Sequence, residues 1–150
     1  MASVVNTIFI AGPQEAVFDL VTQARFWPRW HPATGGVGGV TERPYLLGDV
    51  IHEHGEVAGV TFSVPWTVVE HDRPNRIVID TPAPPAKIIY SLEERGGMTE
   101  FQRELEYDEA AFKAKVPDPA ALAKYMHTQS DEALKRLKAV VENILKDEKM

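Results

Sequence analysis

The 150-residue chain contains no cysteine, which excludes disulfides, thiolate metal centres and cysteine nucleophiles. Positive charge is also short: 16 Lys and Arg stand against 22 Asp and Glu, a formal charge of −6. Nucleic-acid binding draws on clustered cations that displace counterions, so no nucleic-acid partner is expected. The nearest basic group, Lys135, Arg136 and Lys138, is flanked by acids. No apolar run is long enough to span a bilayer, so membrane insertion is not expected either. The segment MASVVNTIFIAG has no basic region ahead of its apolar run, which stops at Gly12-Pro13. That predicts no signal peptide and, by default, a cytoplasmic location. Neither the Gly-x-Ser-x-Gly elbow of a serine hydrolase nor a phosphate loop is present: the glycines at 35–39 are not followed by Lys-Ser or Lys-Thr. With no repeat or linker, residues 1–150 read as one domain. A chain of this length can bury roughly 68–70% of its unfolded surface.

What is present alternates. TEFQRELEY (99–107) sends Thr99, Phe101, Arg103, Leu105 and Tyr107 to one face and Glu100, Gln102, Glu104 and Glu106 to the other, the period of a half-buried strand. VTFSVPWTV (60–68) alternates in the same way, and RIVID (76–80) and KIIYSLEE (87–94) read as two more strands. Pro65 has no N–H for a ladder, which predicts an edge or a bulge there. Gly96-Gly97 predicts a tight hairpin. TGGVGGV (34–40) reads as a mobile loop or a weak edge strand.

Val4, Val5, Ile8, Phe9 and Ile10 mark a first strand. Pro13 predicts a helix start, with Val17, Phe18 and Val21 as its buried stripe. Pro28 predicts an end or kink in a short second helix near Phe26 and Trp27. Asp118-Pro119 predicts the start of one long amphipathic helix. Leu122, Met126, Ala133, Leu137, Val141 and Ile144 form its stripe, beside Tyr125, Leu134 and Val140, and Lys146 and Lys149 suit the negative end of its dipole. Consecutive strands joined by short turns make an antiparallel sheet whose apolar face the long helix must cover. A strongly curved sheet closed by one helix does not always fill its interior, and that is a route to a pocket.

This order of elements, with WPRWHP after the first helix, VVEHDRPNRIVI between two strands and the closing LKRLKAVVE, resembles the START-like superfamily. It is also known as the polyketide cyclase/dehydrase and lipid-transport, SRPBCC or Bet v 1-like superfamily. The similarity covers roughly residues 3 to 146. It implies an α+β helix-grip fold, in which a curved antiparallel sheet of about seven strands wraps a long C-terminal helix, with two short helices after the first strand. It also implies a hydrophobic cavity. Members include lipid carriers, hormone and allergen-type ligand binders and polyketide aromatase/cyclases, so a shared fold cannot choose among functions. Trp27, Pro28 and Trp30 match in architecture only, and no catalytic motif carries over.

If the concave face lines a cavity, Arg103 points into it. A lone buried guanidinium is very costly, so it calls for a carboxylate, a ligand anion or water; Glu53 and Asp80 are the acids placed to supply a partner. The alternatives are a charge that snorkels to solvent and a purely structural ion pair. In DVIHEHGE either Ile51 and Glu53 face inward, as the resemblance favours, or Val50, His52 and His54 do. The second phase would place two imidazoles side by side, and a zinc site would still need His31 or His71 to converge on them. No metal or cofactor is therefore expected. Trp27, Trp30, Phe62, Trp66, Tyr90, Phe101, Tyr125 and Met126 are the candidate apolar contacts of a ligand.

Three functions stay open. One is a binding module for a small-to-medium hydrophobic ligand of aromatic character, with Arg103 fixing an acidic or carbonyl group. Another is a cyclase/dehydratase-like enzyme in which Arg103 polarises a carbonyl while Glu53, Tyr90 or His31 exchanges protons. The third is an interaction domain whose cavity is filled. A homodimer is a candidate assembly.

Overall fold

The computed structural model describes residues 1–148. Strand β1 (Ala2–Ile10) is followed by helix α1 (Gln14–Val21), a 3-10 turn at Ala24–Phe26 and the short helix α2 (Trp27–Trp30). Six strands come next: β2 (Thr34–Gly39), β3 (Val50–Val57), β4 (Val60–Asp72), β5 (Arg76–Pro82), β6 (Pro85–Arg95) and β7 (Met98–Tyr107). A second 3-10 turn, Glu109–Phe112, leads to the terminal helix α3 (Pro119–Glu148). The strands form one curled antiparallel sheet in the order β1-β7-β6-β5-β4-β3-β2. This is the helix-grip architecture that the alternation and the closing stripe imply.

Local chemistry explains most boundaries. Gly96 and Gly97 have φ of 60° and 85°, the left-handed pair that a two-residue hairpin between β6 and β7 requires. Pro119 is the first residue of α3, and Asp118 accepts a hydrogen bond from the Ala120 N–H at 3.1 Å, satisfying one of the helix's free donors. Pro13 lies one position earlier than expected, as the extended cap of α1. Pro28 falls in the first turn of α2 instead of ending a helix, a place where its missing N–H costs nothing. TGGVGGV resolves as the edge strand β2, with a register shift between Thr34 and Gly36. Lys149 lies outside the described residues.

Pro65 is accommodated by a partial edge. β4 pairs with β3 from Val57↔Val60 to Val50↔Thr67, but with β5 only from Thr67↔Asp80 onward. At Pro65 the strand therefore has one neighbour, and the ladder's bulge falls at Val68/Glu70 instead. Pairing lost over residues 60–66 leaves a gap in the sheet wall, and bulges of this kind add twist.

The core is divided. The larger cluster joins Ile10, Phe18, Trp30, Ile51, Ile77 and Phe101 to Leu134, Leu137 and Val141 of α3. The smaller one joins Val4, Tyr107 and Phe112 to Leu122 and Met126. Among the described residues no helix is long and apolar enough to cross a membrane.

Candidate functional site: a cavity under the first half of the terminal helix

Between the concave sheet and the N-terminal half of α3 lies a cavity of about 500 Å³, within the ~300–1,000 Å³ of small-molecule pockets. Its walls come from α2, all strands from β2 to β7, the turn at Ala111–Phe112, and Met126, Gln129 and Ser130 of α3. Thr61, Ser63 and Pro84 line it and are exposed, so the rim falls where β4 lacks its β5 partner.

One end is polar. Arg103 occupies an inward position of β7 and is only 3% exposed. Asn6 of β1 and Tyr90 of β6 are its cross-strand neighbours, so the three side chains form a polar row across an otherwise apolar face. Ser130 of α3 comes down onto this row and its Oγ accepts from Arg103 Nη1 at 3.3 Å. Arg103 Nε is buried without a partner, as is Asn6 Oδ1. Neither Glu53 nor Asp80 supplies the expected ion pair: among the described residues Arg103 joins no salt bridge. Asp80 is not on the cavity wall.

Glu53 faces inward at 8% exposure, but its oxygens are already engaged. Oε1 accepts from the Trp66 indole at 2.9 Å, and Oε2 from the Thr34 hydroxyl. Gly55 makes the second contact possible. A Cβ there would stand 1.8 Å from the Ala33 carbonyl oxygen, so only glycine lets the chain before β2 pass close enough to bring Thr34 to Glu53. Burial raises the Glu53 carboxyl above its ordinary value, against the lowering effect of those two hydrogen bonds and of Arg103.

His31, partly buried, is held well below the ordinary imidazole value of 6.5, chiefly by desolvation and then by Arg103 and Arg136. Its Nδ1 accepts from the Ala33 N–H at 3.1 Å, so the neutral ring carries its proton on Nε2. Burial pushes the Tyr90 phenol up to about 12, partly offset by Arg103. It stays protonated at neutral pH.

Of the residues singled out in the sequence, Trp27, Trp30, His31, Glu53 and Phe62 lie on the wall, as do Trp66, Tyr90, Arg103 and Met126. Two do not. Tyr125 is 40% exposed: one residue from Met126 is about 100° around a helix, which turns it outward, where its hydroxyl accepts from Gln129. Phe101 is fully buried but sits behind the wall, 5.0 Å edge-on to Tyr90. His52 and His54 are exposed on the outer face of β3, and His71 packs against Phe18, so these imidazoles do not converge. Ser130, Thr34 and Thr81 of the wall went unread in the sequence. Ser130 was findable, since it fills the inward place in the series 122, 126, 130, 134.

Comparisons with known proteins agree with this architecture. A family model described as polyketide cyclase / dehydrase and lipid transport matches residues 1–142. A START superfamily protein from Mycobacterium smegmatis is 18% identical, with 95% of this chain and 98% of that one covered and a TM-score of 0.75. Protein TTHA0849 from Thermus thermophilus is also 18% identical, covering 93% and 97%, at a TM-score of 0.72. Major latex-like protein 151 from Panax ginseng is 11% identical over 92% and 95%, at 0.64. At these identities the likeness is one of fold. No curated protein matches the chain.

Proposed function

We propose a function from one premise: the chain belongs to the polyketide cyclase / dehydrase and lipid transport family. It binds a small-to-medium hydrophobic ligand, aromatic in character, between the sheet and the first half of α3. The observation that carries this reading is a hollow of about 500 Å³ walled by apolar and aromatic side chains, with few polar groups at one end. Such a combination of apolar area and directed polar atoms suits orientation of a guest molecule. Phe62, Trp66, Tyr90 and Met126 supply contact area, and Trp27 and Trp30 close the end next to α2. Nothing in the charge pattern recommends a nucleic-acid partner, and the ligand is taken up in the cytoplasm. The test is a melting-temperature screen against aromatic and acyl compounds. A true ligand at a hundred times its Kd stabilises by about 2.7 kcal/mol, which shifts a domain of this size by several degrees. A broad panel that shifts nothing overturns the reading.

A second reading, catalysis of the cyclase/dehydratase kind, is favoured by a different observation. A carboxyl raised by burial (Glu53), a neutral imidazole (His31) and a guanidinium (Arg103) share one cavity. Arg103 would polarise a carbonyl while Glu53, Tyr90 or His31 exchanges protons. Incubation with a poly-β-ketone thioester should then yield a dehydrated or cyclised product in the wild type and none in Glu53→Gln. Unchanged substrate in both leaves binding as the function.

A further inference from the structure

Resting on the cavity reading above, we propose that the ligand is an apolar acid, a carboxylate carried on an aromatic or aliphatic body, that enters head first and is read by Arg103. The polar end of the cavity carries more free donors than free acceptors. Arg103 Nε, Trp27 Nε1 and Trp30 Nε1 are all buried and unpartnered, and all three residues line the cavity. His31 contributes a fourth donor, because its Nδ1 is used as an acceptor by Ala33 and its proton is therefore on Nε2. Few acceptors remain on or beside the same wall: Glu53 receives Trp66 and Thr34, and Ser130 receives Arg103. The unpartnered Thr81 Oγ1 and Asn6 Oδ1 are neutral oxygens that carry no charge to match a guanidinium. The missing complement is an acceptor-rich group.

Charge narrows it further. A guanidinium that is 3% exposed, held by Ser130 but in no ion pair among the described residues, is a buried cation that favours an anion or dense hydration beside it. Its planar fork matches a carboxylate with two parallel hydrogen bonds.

The direction of entry follows from where the wall stops. On β7 the lining runs through Tyr107, Leu105 and Arg103, and the next inward residue, Phe101, lies in solid core. On α3 it runs through Met126 and Gln129 to Ser130 and goes no further. Arg103 and Ser130 thus mark the closed end, while Phe62, Leu105, Phe112 and Met126 offer apolar surface towards the exposed rim. A carboxylate must lead, and the body of the ligand fills the outer part.

The experiment uses the full chain and a neutral fluorescent probe, phenylnaphthylamine, whose emission rises in an apolar cavity, displaced in parallel by naphthoate and by naphthamide. The two competitors share a skeleton and differ in charge. Hydrogen bonds to a charged group outweigh neutral ones by enough to separate the two at least about tenfold. The expected result is probe binding, displacement by naphthoate at a concentration about ten times lower than naphthamide, and loss of that ratio in Arg103→Met with the probe still bound. Equal displacement of the probe in the wild type overturns the proposal while leaving the cavity reading intact, as does a preference that survives in Arg103→Met. Failure of the probe and of both competitors to bind removes the cavity reading itself. The wild-type ratio alone decides if Arg103→Met does not fold.

Discussion

The two halves of α3 face the same sheet and behave differently. From Ala133 to Val141 the inward residues Ala133, Leu134, Leu137 and Val141 are at most 1% exposed and join the larger core cluster. From Leu122 to Ser130 the inward residues are Leu122, Met126 and Ser130, the first two in the smaller cluster, and the sheet opposite falls away into the cavity. The backbone is continuous, so the contrast comes from side chains. Where Ala133, Leu134, Leu137 and Val141 meet the apolar residues of the larger cluster, the interface closes to crystal-like density. Where Ser130 meets Arg103 and the β4–β5 ladder is interrupted, it does not. The second half of the helix is an anchor and the first half a roof.

The largest expected effect comes from breaking the anchor. Leu137→Ala removes a 1%-exposed side chain and should destabilise by about 2–5 kcal/mol, measured by urea unfolding. Met126→Ala, on the roof, should cost less, towards ~2 kcal/mol, because part of that side chain already faces empty space. It should also widen the cavity, so that bulkier competitors displace the probe better than they do in the wild type. Equal losses at the two sites would erase the distinction between anchor and roof.

A pH comparison sharpens the polar end. The folded-state value of Glu53 is raised, so between its ordinary and raised values the folded state holds more protons than the unfolded one. Stability from this group is present at low pH and lost as pH rises through that window. His31 has the opposite sign. Its folded value is lowered, the unfolded state binds more protons below pH 6.5, and stability falls as the solution is acidified through that region. Difference curves of melting temperature against pH, wild type minus Glu53→Gln and wild type minus His31→Gln, should therefore slope in opposite directions. Parallel curves would mean that the two groups do not sit in the environments described.

The smallest effect is at the surface of the anchor. Lys138 pairs with Glu142 at 2.7 Å and donates to the Phe9 carbonyl at 2.6 Å. Both partners are partly exposed, so Lys138→Ala should cost less than about 1 kcal/mol and leave probe binding unchanged. A larger loss in the same urea series would show that this pair docks the helix on β1.

Much of this contrast was legible in the sequence. Alternation over 99–107 placed Arg103 on the inward face, and the glycine pair at 96–97 fixed the hairpin before it. Asp118-Pro119 marked the start of α3. What stayed hidden depends on pairing between distant segments. A serine at position 130 looks like a solvated helix residue until the stripe of 122, 126 and 134 is drawn through it. Tyr125 is apolar enough to join that stripe, and only its angular place on the formed helix turns it out. The contact between Thr34 and Glu53 depends on the close passage of Ala33 over Gly55, which no local pattern records. The interrupted ladder at residues 60–66 was signalled only by Pro65, and where β5 begins to pair is a matter of register.

Native mass spectrometry of the protein purified gently from cells, without detergent or organic solvent, bears most directly on the roof and its hollow. The expected spectrum carries a non-covalent small-molecule adduct that is released on activation, or takes up one naphthoate per chain when that acid is added. A bare chain mass that stays bare in the presence of naphthoate and of neutral aromatic compounds would contradict it.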